Sequence, residues 1–165
     1  QTHGGSIRVY GCHKDDDKVI DKSYEDLINK EMELGINSID FYKNFNQNAE
    51  KIKNEFCRFL LECKEKNLFV CAYGAAAKGN TLLNYCGIKD DLISFVCDAA
   101  EAKQNKFLPG SKIPIVHPDV LKNEKKIDYV LIFPWNIADE VIAQLDFLKP
   151  NGTKFVKAIP RLTII

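Results

Sequence analysis

The chain has 165 residues, of which 45% are hydrophobic and 28% charged, and its 23 basic side chains balance 23 acidic ones. These values are typical of one folded domain, since domains commonly have about 100–150 residues. A net charge of zero gives no reason to expect nucleic acid or an anionic membrane surface as a partner. No apolar run approaches the roughly 20 residues of a membrane-spanning helix, so we expect no membrane partner.

The cysteines indicate a reducing environment. There are six, no two have the Cys-x-x-Cys spacing, and some lie in apolar runs. We therefore predict reduced, mostly buried thiols in a cytoplasmic protein. The three histidines are far apart in the sequence, which argues against a metal site, and we expect none.

The N-terminal part of the chain predicts a short strand and a helix. The segment "SIRVYGCH" (6–13) alternates apolar and polar residues, as a strand does. A helix is expected over 23–34, with Ser23 as its N-cap, Asp26 in the capping-box position and Gly35 at its end.

A longer helix is expected over 40–66. Apolar side chains recur there at helical spacing and are expected to form one core-facing stripe. With the preceding helix it would form a helical hairpin. The stripe consists of Phe41, Phe45, Ala49, Ile52, Phe56, Phe59, Leu60 and Cys63.

The remaining sequence alternates strands with helices and predicts an α/β fold. Because strands that alternate with helices form parallel sheets through right-handed crossovers, we predict a Rossmann-like parallel sheet of about five strands. The expected order is 3-2-1-4-5, with the third strand at an edge because it contains Pro114. Strands are expected over 68–73, 92–98, 112–118, 127–133 and 153–159, and helices over 78–85, 118–123 and 138–149.

A glycine loop follows the first strand. Gly74, Ala76 and Gly79 occupy the positions of a G-x-G-x-x-G motif, with alanine in the middle. A strand precedes the loop, a helix follows it, and Asp98 ends the next strand, as in dinucleotide-binding folds. Asp98 is a candidate to accept a hydrogen bond from a ribose or sugar hydroxyl, or else an ordinary helix cap.

This loop has the features of a phosphate or diphosphate site. Gly74 permits a sharp turn, and the small side chains of Ala75 and Ala76 let backbone amides approach an anion at a helix N-terminus. Lys78 adds a full positive charge, and Asn80 and Thr81 can add donors. The alternative is that the small residues only allow close packing of strand and helix.

Other polar residues are expected at the same edge of the sheet. Trp135 and Asn136 follow the fourth strand, which lies beside the first in the predicted order, so they should lie next to the glycine loop at a ligand crevice. Gln104 and Asn105 lie on the loop after the second strand. The alternatives are that Trp135 covers the core, that Asn136 caps a helix and that the second loop is merely solvated.

Four motifs in this order resemble the C-terminal domain of S-adenosylmethionine (SAM)-dependent C-methyltransferases that act on nucleotide-linked keto-deoxysugars. The resemblance covers nearly the whole chain. The motifs are "HGGSIR", "YGAAAKGNTLLNYCGI", "CDAAEAKQNKFLPGSKIPI" and "FPWNIADEV".

The resemblance implies that the chain corresponds to one part of a longer enzyme, in which different domains bind the substrate and the methyl donor. Residues 1–14 would be the tail of a preceding methyltransferase domain, 15–66 a helical segment packing on the sheet, and 67–165 the nucleotide-sugar-binding domain. SAM would bind the methyltransferase domain, in the same or a separate chain. The family mechanism is deprotonation beside a ketone, followed by attack of the enolate on the SAM methyl group, and the base for that step stays unknown here.

The resemblance also assigns individual residues to the nucleotide-diphosphate sugar. The loop from Gly74 to Gly79, above all Lys78, would hold the diphosphate, and Gln104, Asn105, Trp135 and Asn136 would lie in the family's other two loops. The segment 3–5 matches a motif that borders the methyl-transfer pocket of complete members.

Two other functions fit parts of the sequence. An NAD(P)-binding domain of an oxidoreductase or epimerase would use the same fold, but Ala76 stands where pyrophosphate approach usually requires glycine. A non-catalytic interaction module would use the fold with no ligand at all.

Overall fold

The computed structural model describes residues 5–124 and 126–165. The chain divides into two compact units, Gln1–Ala49 and Glu50–Ile165. His3 and Gly4, from the motif expected to border a methyl-transfer pocket, lie outside the described residues.

The described part of the first unit contains two complete helices, the first residues of a third, and a stretch without regular structure. Helix α1 comprises Lys22–Glu33, α2 comprises Ile39–Tyr42, and Gly35, with φ of +74°, follows the end of α1 as predicted. The predicted cap was wrong: the Asp21 carboxylate accepts from the Ser23 N–H at 2.8 Å, so the helix begins one residue earlier.

The strand expected over 6–13 was also wrong, because these residues form no regular element. Ile7 and Val9 are 72% and 81% exposed. A strand needs a partner and a face to bury, and alternation alone provides neither.

The long helix expected over 40–66 is interrupted. Helix α3 comprises Phe45–Glu65, and Lys43 and Asn44 form a turn after α2. Asparagines recur here at positions 44, 46 and 48, and asparagine favours caps and turns over helix interiors. Phe41 and Phe45, expected in the core, are 51% and 70% exposed.

From Glu50 onward α3 belongs to the second unit, where its apolar stripe is buried. Phe56, Phe59, Leu60 and Cys63 recur at helical spacing and enter one core cluster. This part of the predicted stripe is confirmed.

The second unit is built on a seven-stranded sheet of the α/β class, as predicted. Its five parallel strands are β1 (Val70–Tyr73), β2 (Val96–Cys97), β4 (Pro114–Val116), β5 (Tyr129–Ile132) and β6 (Lys154–Lys157). They have the order β4-β2-β1-β5-β6, which is the predicted 3-2-1-4-5.

Two short strands extend the sheet beyond the prediction. β3 (Lys106–Phe107) pairs antiparallel with β4, and β7 (Thr163–Ile164) pairs antiparallel with β6. The strand containing Pro114 is therefore not an edge strand. Pro114 is its first residue, a position that tolerates a missing N–H.

Helices cover both faces of the sheet. α4 (Ala77–Cys86) follows β1 and α6 (Ala138–Gln144) follows β5, while α5 (Val120–Asn123) is short. α3 and α4 contribute to one core cluster and α6 to the other. Along β1, Cys71 belongs to the α6 cluster and its neighbours Val70 and Ala72 to the α3–α4 cluster, which is the pattern of a sheet buried on both faces.

No helix in the described ranges is both long and apolar enough to cross a membrane. All six cysteines are free thiols, and four of them are buried. Burial raises the pKa of the Cys63 thiol to about 11 and that of Cys97 to about 12. These thiols are therefore protonated near neutral pH and belong to the core.

Candidate functional site

The candidate site lies where β1 and β5 end side by side. The two strands pair in parallel, with Tyr73 opposite Ile132. The helices that follow them pack in different core clusters, on opposite faces of the sheet. Neighbouring strands whose helices leave in opposite directions open a crevice at their carboxyl ends, where doubly wound folds bind ligands.

Gly74 makes the turn out of β1 possible. Its φ is +88°, and a Cβ atom at this position would lie 2.5 Å from Cδ of Pro134. Its N–H donates to the Cys97 carbonyl oxygen at 2.7 Å. Both the left-handed backbone and the contact with Pro134 require glycine here.

Gly79 allows α4 to pack closely against the sheet. A Cβ atom at Gly79 would lie 2.6 Å from Cβ of Phe133, the residue after β5. This is the role of the third glycine in a dinucleotide-binding motif. The packing alternative therefore holds at Gly79, and the anion-site interpretation of the loop stays a prediction.

The N-terminus of α4 has no side-chain cap. Its N-cap is Ala76, which makes no side-chain hydrogen bond to the helix. The first helical bond runs from Asn80 N to Ala76 O at 3.0 Å, so the amides of residues 77–79 precede the helical ladder. Such amides, together with the helix dipole, favour an anion.

Lys78 brings a cation to this helix end and meets the segment after β5. Its ammonium donates to Oδ1 of Asn136, and its Nζ lies 4.8 Å from the centroid of the Trp135 ring. The predicted meeting of the glycine loop with Trp135 and Asn136 is thus seen in the structure. Their binding of a nucleotide stays a prediction.

Asp98 joins the glycine loop to the loop after β2 through hydrogen bonds. It is 9% exposed, and its carboxylate accepts from Ala75 N at 2.8 Å, Ala100 N at 2.9 Å and Lys103 Nζ at 3.0 Å. Three donors from the chain itself thus use most of its accepting capacity. The contacts present make Asp98 a brace of the glycine loop, while its predicted contact with a sugar hydroxyl stays untested.

The loop after β2 is held to the same framework. The Gln104 side-chain amide donates to the Asp98 carbonyl oxygen at 2.9 Å. Asn105 is exposed, with φ of +59°, and its N–H donates to Ile115 O at 2.9 Å. Gln104 thus lies beside Asp98, whereas Asn105 serves the short β3–β4 pairing.

Two other predicted donors differ in their availability. The Thr81 hydroxyl donates to the Ala77 carbonyl oxygen at 3.1 Å within its own helix. The Oδ1 atom of Asn80 is buried, without a hydrogen-bond partner among the described residues.

Several residues around the site were not anticipated from the sequence. The Asn84 amide donates to Pro109 O at 3.0 Å, and the Lys89 ammonium donates to Gly110 O at 2.6 Å. Asn84 thus joins α4, and Lys89 the segment that follows α4, to the loop after β3. Burial, and then the charge of Asp98, raises the pKa of the Tyr73 phenol, which packs partly buried against the α6 core cluster.

Across residues 5–124 and 126–165, no three His, Cys, Asp or Glu side chains are grouped so as to hold a metal ion. The donor set does not fit SAM either. That molecule is a net cation, with a sulfonium, an ammonium and a single carboxylate, whereas Lys78 adds a further positive charge beside helix amides that favour anions. We therefore derive no methyl-transfer step within this chain.

The fold and this loop define a doubly wound α/β domain of the kind that binds ligands at a switch in strand order. Residues 1–160 match the family described as the C-methyltransferase C-terminal domain, and the chain belongs to that family.

The C-methyltransferase NovU of Streptomyces niveus is similar to the chain. It is 31% identical over 164 residues, which cover 99% of this chain and 39% of NovU. The chain therefore spans about two fifths of the length of this relative.

Proposed function

We propose that this chain is the substrate-binding domain of a SAM-dependent sugar C-methyltransferase. Its ligand would be a nucleotide-linked keto-deoxysugar of the dTDP type. Membership of the C-methyltransferase C-terminal domain family supports the enzyme class. The observation that carries the ligand is the convergence of the uncapped α4 N-terminus, the Lys78 ammonium and Trp135 at one crevice.

The crevice offers one group of contacts for a diphosphate and another for a base or sugar ring. The diphosphate would lie against the amides of residues 77–79. Its oxygens would replace Oδ1 of Asn136 as the hydrogen-bond acceptor of the Lys78 ammonium. A charged donor forms shorter and stronger hydrogen bonds to phosphate than a neutral one does. Release of Lys78 would leave the Trp135 ring face for the base or the sugar, since aromatic faces stack on bases.

The domain would contribute to methyl transfer by positioning. Holding a reactive carbon beside a methyl donor makes the reaction effectively unimolecular. This positioning can remove a large part of the activation free energy. SAM and the general base would reside in the methyltransferase domain of the parent enzyme, joined in the same chain or held as a partner. We place the enzyme in the cytoplasm, where SAM and nucleotide sugars would be supplied.

The NAD(P) alternative receives less support. Dinucleotide-binding domains use the acidic residue after the second strand to bind the ribose hydroxyls. Here that carboxylate already accepts from Ala75, Ala100 and Lys103.

Separate calorimetric titrations of the purified chain with dTDP, NAD and SAM test the proposal. We expect heat of binding with dTDP and none with NAD or SAM. Binding of NAD alone would establish the oxidoreductase alternative. Binding of none of the three would favour the interaction module.

A further inference from the structure

Helix α1 carries an exposed apolar stripe. Tyr24, Leu27, Ile28 and Met32 share one face of this helix by their spacing. Tyr24, Leu27 and Met32 are 58%, 38% and 60% exposed, and Ile28 is half-buried. We refer to these four residues as the α1 stripe.

The α1 stripe belongs to a unit whose described part has no fully buried residue. None of the described residues 5–49 is buried, and Phe41 and Phe45 of the same unit are also exposed. A segment this small has little hydrophobic stabilisation of its own. Large exposed apolar surfaces mark sites of interaction, so we expect another surface to cover this one.

The composition of α1 favours a protein partner over a lipid surface. Helices that lie on membranes carry many basic residues opposite their apolar face. The face of α1 opposite the stripe carries both signs of charge: Lys22, Asp26, Lys30 and Glu33. The stripe itself contains tyrosine and methionine, which are enriched in the cores of protein interfaces.

We propose that the α1 stripe is the docking surface for the SAM-binding methyltransferase domain, an inference that rests on the proposed function. The matched family is a C-terminal domain, and more than half of NovU lies outside the match. Because the family is described as a C-terminal domain, the remaining part of such a relative would precede it and join it on the side of the first unit. An apolar helix face at that junction would place the methyl donor's domain against the substrate-binding domain.

Site-specific photo-cross-linking tests this surface in the native cell, with the protein expressed from its own gene. A photoreactive phenylalanine replaces Leu27 or Met32 on the stripe, and Asp26 or Lys30 on the opposite face of the same helix as matched controls. We expect cross-links from Leu27 and Met32 to one domain, identified by peptide mass spectrometry and shown to retain labelled SAM. The controls should give only background yield.

Three outcomes would overturn the proposal: cross-links to residues 50–165, cross-links to a second copy of residues 1–49, or yields no higher than those of the controls. Leu27→Glu with Met32→Glu in the isolated chain gives an independent measurement. Its Tm should be unchanged, and a clear decrease would mean that the stripe packs within this chain. Neither measurement depends on nucleotide binding, so a failed dTDP titration and a failed docking surface remain distinguishable.

Discussion

Gly74 satisfies two constraints that act on a single Cα atom. Its backbone is left-handed, and any side chain would collide with Pro134. Gly87, at the end of α4, shares the first constraint with φ of +71° but has nothing within 4 Å of an added Cβ. Comparing substitutions at the two glycines therefore distinguishes the cost of backbone strain from the cost of steric overlap.

We predict that Gly74→Ala destabilises the domain more than Gly87→Ala does. Gly87→Ala should cost about 1 kcal/mol in free energy of unfolding, the order expected for alanine in a left-handed conformation. Gly74→Ala should cost at least about 1 kcal/mol more, because Pro134 or the loop must shift. Urea denaturation of both variants measures the difference, and equal losses would refute the steric argument.

A substitution at Asp98 tests whether this residue stabilises the glycine loop or only contacts a ligand. Asp98→Asn leaves one accepting oxygen where a carboxylate meets three donors, so the unfolding free energy should fall by about 1–3 kcal/mol even without ligand. Asp91→Asn is the control, because Asp91 pairs with Lys64 at 2.8 Å on the surface and should contribute little.

If Asp98 served only to bind a sugar hydroxyl, Asp98→Asn would lower nucleotide affinity and leave the unfolding curve of the free protein unchanged. Chemical denaturation in the absence of ligand is therefore the deciding measurement.

Among the elements of the sheet, the pairing of β1 with β5 begins at a half-buried carboxylate. The Asp128 carboxylate accepts from Phe69 N at 2.8 Å and lies 2.9 Å from Lys126 Nζ. Burial on its own would raise the pKa of Asp128, but the Phe69 N–H and the Lys126 ammonium hold it below 3.8. The folded state therefore prefers the charged carboxylate.

We predict that Asp128→Asn destabilises the protein by about 1–2 kcal/mol at neutral pH. A depressed pKa contributes stability that is fully present above the unfolded value, near 3.8, and is lost as the pH falls through the folded value. The difference between wild type and variant should thus be constant from pH 7 to about 5 and shrink below about 4. A difference that grows on acidification would contradict this account.

The parallel strands could be predicted because they are buried on both faces and appear as continuous apolar runs. Their order followed from alternation with helices, and that order brought Lys78 to Trp135 and Asn136. β3 and β7 have two residues each, too few to produce a periodic signal. The break at Lys43 and Asn44 was missed because the apolar spacing continues across it.

The side-chain network of the site was less predictable. The bonds from Lys103 to Asp98 and from Asn84 to Pro109 depend on the path of irregular loops. Sequence spacing places such residues near an edge of the sheet, but it does not determine which oxygen each donor reaches.

For the molecule as a whole, the proposed function assigns substrate binding to this chain and methyl transfer to another domain. We expect the isolated chain to give no methylated product from SAM and a dTDP-linked keto-sugar, because both the methyl donor's site and the base would lie elsewhere. Mass spectrometry of the sugar nucleotide after incubation measures this. Methylation by the isolated chain would contradict the proposed division.

The central proposal is that the α4 amides and one ammonium hold the diphosphate. Calorimetric titration of Lys78→Ala with dTDP tests it, with Lys64→Ala as the control, since Lys64 is a surface lysine paired with Asp91. We predict that Lys78→Ala weakens binding by about 1.5–3 kcal/mol, roughly 10- to 150-fold, with little change in Tm, the range for a charge-assisted hydrogen bond. Lys64→Ala should bind as the wild type does, and wild-type affinity in Lys78→Ala would contradict the proposed site.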